Sequence, residues 1–289
     1  MSDERLVPVN GVELCAQTFG RPGGVPLLLI GTSMLAWPDG LCARLAEEGP
    51  RLVVRYDLRD TGRSTTADPD APAYTLRDLV ADAAGLLDAL ELPRAHVAGF
   101  GAGGWIAQLL ALDHPDRVAS LTLIASRAVA PGPADPDLPE HSPAFMKFMM
   151  SAPEPDWSDR AAVVEAMVEG ARHLAGSAGI DEAAVRERAG RVYDRAPSAD
   201  RAVQRSNHLG TSFAAMDSRP RWRERLGGIA VPALVVHGED DPFFPVGNGE
   251  ALARDIPGAE LLVLPGTGQE LPRRVWDAVV PAMIRITSG

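Results

Sequence analysis

The sequence predicts an α/β protein with a mostly parallel central sheet flanked by helices and interrupted by one helical insertion. Three observations carry that reading. Short apolar runs alternate with segments of helical periodicity before residue 127 and again after residue 230, the pattern of parallel strands joined by crossover helices. From Pro131 to about Arg225 no strand pattern occurs, and proline-rich punctuation (APGPADPDLPEHSP) gives way to helical stretches such as RAAVVEAMVEGARHLA and EAAVRERAGRVYDRA. The 289 residues suffice for one large core, or one core with a smaller attached layer. The expected division is a core of 1–130 and 226–289, with 131–225 as an inserted lid.

In order along the chain, ELCAQTFG (13–20) reads as an early strand and PLLLIG (26–31) as a buried one, being an unbroken apolar run. Helical spacing follows around Leu41 to Glu48, then the strand RLVVRYD (51–57), which ends in the turn LRDTGRS. Thr75 opens a helix with an acidic first turn. AHVAGF (95–100) is a strand, GGWIAQLLALDHP a helix stopped at Pro115, and VASLTLIAS (118–126) a strand. After the insertion come the strand VPALVVHG (231–238), a helix near Gly249 to Ile256, the strand ELLVLPG (260–266) and a closing helix to Ile286.

Composition narrows the function classes. The net charge of -11 argues against nucleic acid or an anionic membrane surface as partner. The N-terminal MSDERLVPVNGVEL has neither the basic nor the apolar region of a signal peptide. No apolar run approaches the roughly 20 residues of a membrane helix. Cys15 and Cys42 stand in no metal or redox spacing and are expected to be small buried core residues. A reduced cytoplasm is the simplest compartment, and neither a metal nor a cofactor is expected.

The stretch VAGFGAGGWIAQ (97–108) has two readings. Gly99, Gly101 and Gly104 spell the G-x-G-x-x-G of a dinucleotide turn. The same residues spell G-x-G-x-G, a hydrolase elbow G-x-S-x-G with glycine at the nucleophile position. A dinucleotide turn calls for an acid about 20 residues on, yet the following strand ends in IASRAV, and several strands precede the turn. The cofactor reading is therefore outvoted.

With these landmarks in order, the chain resembles the α/β-hydrolase family over essentially its whole length. PLLLIGTS is like the family's strand and oxyanion loop, RYDLRDTGRS like its D-x-R-G-x-G-x-S turn, and HPDRVASLTLI like its H-P-x-R-V segment. VPALVVHGEDDPFFP resembles the strand carrying the triad acid, and LPGTGQELP the loop carrying the triad histidine. The wording RYDLRDTGRST looks most like the aclacinomycin methylesterase branch, whose members act on polycyclic polyketides. The resemblance implies an α/β-hydrolase fold and, by carry-over, Gly101, Asp241 and Gln269 at the triad positions. Asp240 is the alternative acid. Glycine has no group to attack a carbonyl, and the glutamine amide takes up no proton at neutral pH.

In the subtilisin triad, loss of the serine or the histidine costs about 10⁶ in turnover. About 10³–10⁴ over water persists from binding and the oxyanion hole. The elbow is expected to present the Ala102 N–H opposite one from Gly31, Thr32 or Ser33. Asp241 is expected to accept a hydrogen bond from the Gln269 amide. His208 in the insertion is a candidate proton acceptor if its side chain points into the cavity. Ser33 and Ser126 are candidate displaced nucleophiles. Trp37 and Trp105 are expected to flank the cavity, with Phe148, Phe213 and the methionines of PAFMKFMM lining it from the lid, which suits a bulky apolar ligand. Three functions compete: a non-hydrolytic lyase, cyclase or isomerase on a polycyclic carbonyl compound, a silent binding protein, and an esterase with a displaced nucleophile.

Overall fold

The computed structural model describes residues 4–66, 73–129, 135–209 and 216–287. Eight strands form one sheet: β1 (Arg5–Val9), β2 (Val12–Gly20), β3 (Val25–Ile30), β4 (Arg51–Tyr56), β5 (Ala95–Phe100), β6 (Val118–Ile124), β7 (Ala233–Gly238) and β8 (Glu260–Leu264). Their spatial order is β1-β2-β4-β3-β5-β6-β7-β8. β2 pairs antiparallel with both β1 and β4, and the remaining pairs are parallel. The six residues of β7 are all buried, as a strand covered on both faces requires.

Helices cover the two faces. α2 (Leu76–Ala89), α3 (Gly103–Asp113) and α8 (Gly247–Asp255) contribute to one core layer, with Leu79, Leu86, Ile106, Leu109 and Leu252 buried in it. α1 (Asp39–Glu47) and α9 (Trp276–Ile286) build the other around Leu41, Leu45, Val279 and Met283. α2 starts where Thr75 caps it: the Thr75 side chain accepts from the Asp78 N–H while the Asp78 carboxylate accepts from the Thr75 N–H.

Among the described residues, four α-helices lie between β6 and β7: α4 (Pro143–Ser151), α5 (Arg160–Leu174), α6 (Glu182–Arg195) and α7 (Arg201–Leu209). Met216 and Trp222, inside the span assigned to the lid, are members of the main core. Trp222 is fixed there by its Nε1–H, which donates to Gln108 Oε1 at 2.9 Å.

Strand β1 was not legible in the sequence reading. It forms a hairpin with β2 across Asn10 (φ 46) and Gly11 (φ 81). Both residues of that Asn-Gly turn are left-handed, the geometry a two-residue hairpin needs. Cys15 and Cys42 are free and buried. Burial pushes their thiols up to about 11 and about 12.

Candidate active site

β5 runs into α3 through Gly101 and Ala102. The Gly101 N–H donates to the Ile124 carbonyl at 2.9 Å, and its φ of 57° is left-handed. Glycine adopts that conformation freely, whereas a side chain there costs on the order of 1–2 kcal/mol. The other glycines of GFGAGG have packing reasons. A Cβ on Gly103 would overlap the Ile30 carbonyl oxygen and lie 3.0 Å from Gly31 N. One on Gly104 would overlap Ser126 Oγ, and one on Gly99 would lie 2.6 Å from Gly104 Cα. The glycine pattern is thus accounted for by the close approach of α3 to β3, β5 and β6. That close approach also sets the N-terminus of α3, with half-buried Ala102 at its cap, against the loop leaving β3.

Gln269 faces Gly101. A Cβ built on Gly101 would lie 3.2 Å from Gln269 Nε2. The backbone N–H of Gln269 donates to the Leu174 carbonyl at the end of α5 at 2.9 Å, so the lid anchors this loop. Its side-chain Nε2 donates to the Ala125 carbonyl at 2.9 Å, and its Oε1 is buried with no hydrogen-bond partner. The expectation that this amide donates to Asp241 is therefore corrected. Asp241 Oδ1 is already taken by the N–H groups of Phe243 and Phe244, both at 2.8 Å. Oδ2 lies 3.5 Å from His237 Nε2 and has no hydrogen-bond partner. The short turn after Asp241 claims the carboxylate locally, so the amide turns to a backbone carbonyl.

The loops bearing the two residues nevertheless touch, the Asp240 N–H donating to the Thr267 carbonyl at 3.0 Å. Asp241 is 3% exposed, and burial raises its pKa against the opposing pull of His237. Asp240 is solvent-facing. Its Oδ2 accepts from Ser177 N and Oγ at 2.8 and 2.6 Å, and these bonds lower its pKa. Of the two acids, only Asp241 is buried.

The loop after β3 carries Gly31 (buried), Thr32 (exposed) and Ser33 (half-buried). It ends in a 3-10 turn, Met34–Ala36, whose first N–H donates to Asp57 Oδ1 at 3.0 Å. Trp37 and Trp105 do not wall one common cavity. Trp37 is fully buried in the α1/α9 layer, edge-on to Phe100 at 6.5 Å, while Trp105 packs against Phe244 at 6.1 Å in the α2/α3 layer. Each indole occupies a different face of the sheet, which corrects that expectation.

Ser126 is fully buried at the end of β6, its Oγ without a hydrogen bond and pressed against Gly104. Neither Ser33 nor Ser126 hydrogen-bonds a histidine among the described residues. A bond of that type among the described residues, His96 Nδ1 to Ser120 Oγ at 2.8 Å, lies toward the N-terminal ends of β5 and β6, away from Gly101.

In the lid, His208 Nδ1 meets the Gln204 carbonyl at 2.8 Å, and the ring sits 5.8 Å from both Trp157 and Tyr193. Burial lowers its pKa, and its Nε2 is buried with no partner. Phe148 stacks on His173 at 3.8 Å, a contact between α4 and α5. Phe213 lies outside the described residues. Two contributors were missed in the sequence. Ala125, at a left-handed φ of 47°, supplies the carbonyl that holds Gln269, and nothing about an alanine signals this. His237 faces Asp241 from four residues earlier, and the spacing in HGEDD was the available clue.

A sheet of this order, with an acid after β7, a loop after β8 facing the β5–α3 turn, and helices inserted after β6, defines a hydrolase-type architecture. The pattern described as alpha/beta hydrolase fold matches residues 26–271, and the chain belongs to that family. The chain is 31% identical over 300 residues to rhodomycin D methylesterase DauP of Streptomyces sp. (strain C5), spanning 96% of each. It is 30% identical over 301 residues to rhodomycin D methylesterase DnrP of Streptomyces peucetius, again spanning 96% of each. Among solved structures it resembles a meta-cleavage product hydrolase from Pseudomonas fluorescens IP01, with a TM-score of 0.73, 20% identity and coverage of 98% of this chain and 97% of the other.

Proposed function

We propose that this protein is an α/β-hydrolase-fold enzyme of polyketide-type secondary metabolism that transforms a bulky carbonyl compound without acyl transfer, as a lyase, cyclase or isomerase. The observation that carries it is that the Gln269 amide lies where a side chain on Gly101 would point, 3.2 Å from the position of its Cβ. The two positions that hold nucleophile and base in the family hold neither here, yet the left-handed turn and the tight seat of α3 on Ile30 are kept. In this reading the N–H groups of Ala102 and of the Gly31–Ser33 loop stabilise an enolate or alkoxide oxygen. A carboxylate raised in pKa by burial suits proton abstraction beside a carbonyl, and Asp241 fills that role. The α C–H bond breaks and its electron pair forms the C=C bond of the enolate, the carbonyl π pair moves to oxygen, and the proton passes to Asp241. His208, whose pKa burial lowers, is the alternative acceptor from the lid. The Gln269 carbonyl oxygen, free of other bonds, orients substrate. The methylesterase relatives support a polycyclic polyketide as the substrate class.

The test pairs two measurements. Wild type and the Gly101→Ser/Gln269→His double variant are assayed on activated aryl esters. Wild type is also incubated in D2O with polycyclic aromatic ketones, and α-deuteration is read by mass spectrometry. The expected outcome is ester turnover by the double variant only, with deuterium uptake catalysed by wild type and lost in Asp241→Asn. Wild-type ester hydrolysis well above background would overturn the reading in favour of a hydrolase with a displaced nucleophile. Binding of the ketone with no deuteration or product would overturn it in favour of a binding protein.

A further inference from the structure

Asp57, at the end of β4, is fully buried, and its carboxylate serves three groups. Oδ1 accepts from the Met34 N–H at 3.0 Å, which closes the loop Gly31–Ser33. Oδ2 accepts from the Arg63 N–H at 3.1 Å, inside the turn that follows β4. Oδ2 also pairs with the guanidinium of Arg195, the last residue of lid helix α6, which is itself only 8% exposed. The space is tight, since a Cβ on Gly62 would overlap the Asp57 carboxylate. Arg195 also pairs with Glu4, and its Nη2 lies 3.9 Å from Cys15 Sγ. Arg63, the other cation nearby, directs its guanidinium to Glu4 at 3.2 Å and is more than half exposed.

A second strut joins the same lid to the same turn. Asn207 of α7 accepts from the Gly62 N–H at 2.7 Å, and its own amide donates to the Val192 carbonyl of α6 at 2.8 Å. The lid therefore grips the 57–64 turn from two helices, and only one of the grips continues to the loop after β3.

We infer that Arg195 is a positioning residue for the Gly31–Ser33 loop: from the lid it neutralises and anchors Asp57, and Asp57 fixes the Met34 N–H and with it the loop's geometry. The physical reason is the cost of an unpaired buried charge. A carboxylate with no exposure needs its counter-ion. Without one it takes up a proton or moves, and a charge-assisted hydrogen bond to Met34 becomes an ordinary or broken one. Burial already raises the Asp57 pKa, and Arg195 is the largest opposing influence. The geometric coupling stands by itself, and its catalytic consequence rests on the proposed use of this loop as an oxyanion donor.

The test follows individual amide protons of 15N-labelled full-length protein by NMR in wild type, Arg195→Met, Arg195→Lys, Asp57→Asn and the Asp57→Asn/Arg195→Met pair. In Arg195→Met the Met34 amide is expected to exchange roughly tenfold faster or more while amides of β5 and β6 keep their protection. Arg195→Lys should restore most of it. In the Asp57→Asn background, where no buried carboxylate needs a counter-ion, Arg195→Met should add little at Met34. Unchanged Met34 protection in Arg195→Met would overturn the inference, as would equal loss of protection at Met34, β5 and β6. Should Arg195→Met fail to fold, an Arg195→Lys protein with wild-type Met34 protection and the Asp57→Asn comparison carry the same decision. Affinity for an aryl phosphonate, a tetrahedral anion, is measured in parallel. A Met34 response with no phosphonate binding by wild type would count against the oxyanion role under Proposed function while supporting the coupling itself.

Discussion

At the scale of single residues, the site is a set of polar atoms removed from water. Asp241 is the clearest case, because its carboxylate is buried with one oxygen on two backbone N–H groups and the other without a hydrogen bond. Burial raises its folded pKa above the unfolded value, so the folded state binds the proton more readily. Its contribution to stability is then greatest below the ordinary carboxylate pKa and is lost as pH rises through the raised folded value. Asp241→Asn keeps an oxygen for the two N–H groups and cannot ionise. Its thermal midpoint should exceed that of wild type at neutral pH, with the gap shrinking as pH falls below the carboxylate range. Scanning calorimetry at several pH values checks this, and a variant less stable than wild type at every pH would refute it. The tuning is visible only in three dimensions. The sequence offers Asp240 and Asp241 side by side, and what separates them is that one reaches Ser177 in solvent while the other turns inward.

At the scale of elements, α3 shows how local sequence and tertiary approach divide the work. Its glycines read as a motif, and the structure shows them as contact points where the helix meets the sheet. Gly103→Ala places a methyl group in the Ile30 carbonyl, and overpacking of this kind costs about 1–3 kcal/mol. Gly170, in the lid helix α5, has nothing within 4 Å of its Cβ position. Gly170→Ala should stabilise by about 0.5–1 kcal/mol through helix propensity. Urea unfolding of the two variants should shift in opposite directions, and equal shifts would show that the tight seat of α3 is not what requires glycine. The hairpin of β1 and β2 was missed for a different reason. Its first strand, RLVPV, alternates weakly and contains a proline, so the signal lay in the Asn-Gly turn and not in the strand.

At the scale of the whole molecule, the sheet and the lid differ in how much they bury. β7 and most of β3 and β6 are inaccessible, whereas α5 buries only Val163, Val164 and Val168, and α6 only Ala189, Gly190, Tyr193 and Arg195. Sub-global opening with the least buried area should come first. Native-state hydrogen exchange is expected to show α5 and α6 losing protection before β5 and β6, and comparable protection in lid and sheet would contradict this. Polar ties between lid and core include Arg195 on Asp57, Asn207 on Gly62, Ser177 on Asp240, Arg191 on Asp39, and the Leu174 carbonyl on the Gln269 N–H. Loosening the lid would therefore reach both the loop after β3 and the loop bearing Gln269.

The sequence by itself determined the alternation of strands and helices, the inserted helical segment, and the residues standing at the elbow, after β7 and after β8. These are readable because periodicity, apolar runs and glycine turns act over a few residues, and the order of family landmarks is a property of the chain. The tertiary structure alone decided which groups meet. Gln269 donates to Ala125 and not to Asp241. Trp37 and Trp105 part to opposite faces, and His208 packs among lid aromatics. Arg195 reaches back 138 positions to Asp57. Partners so distant in sequence leave no local pattern, because a buried polar group is satisfied by whatever the fold brings within hydrogen-bond reach.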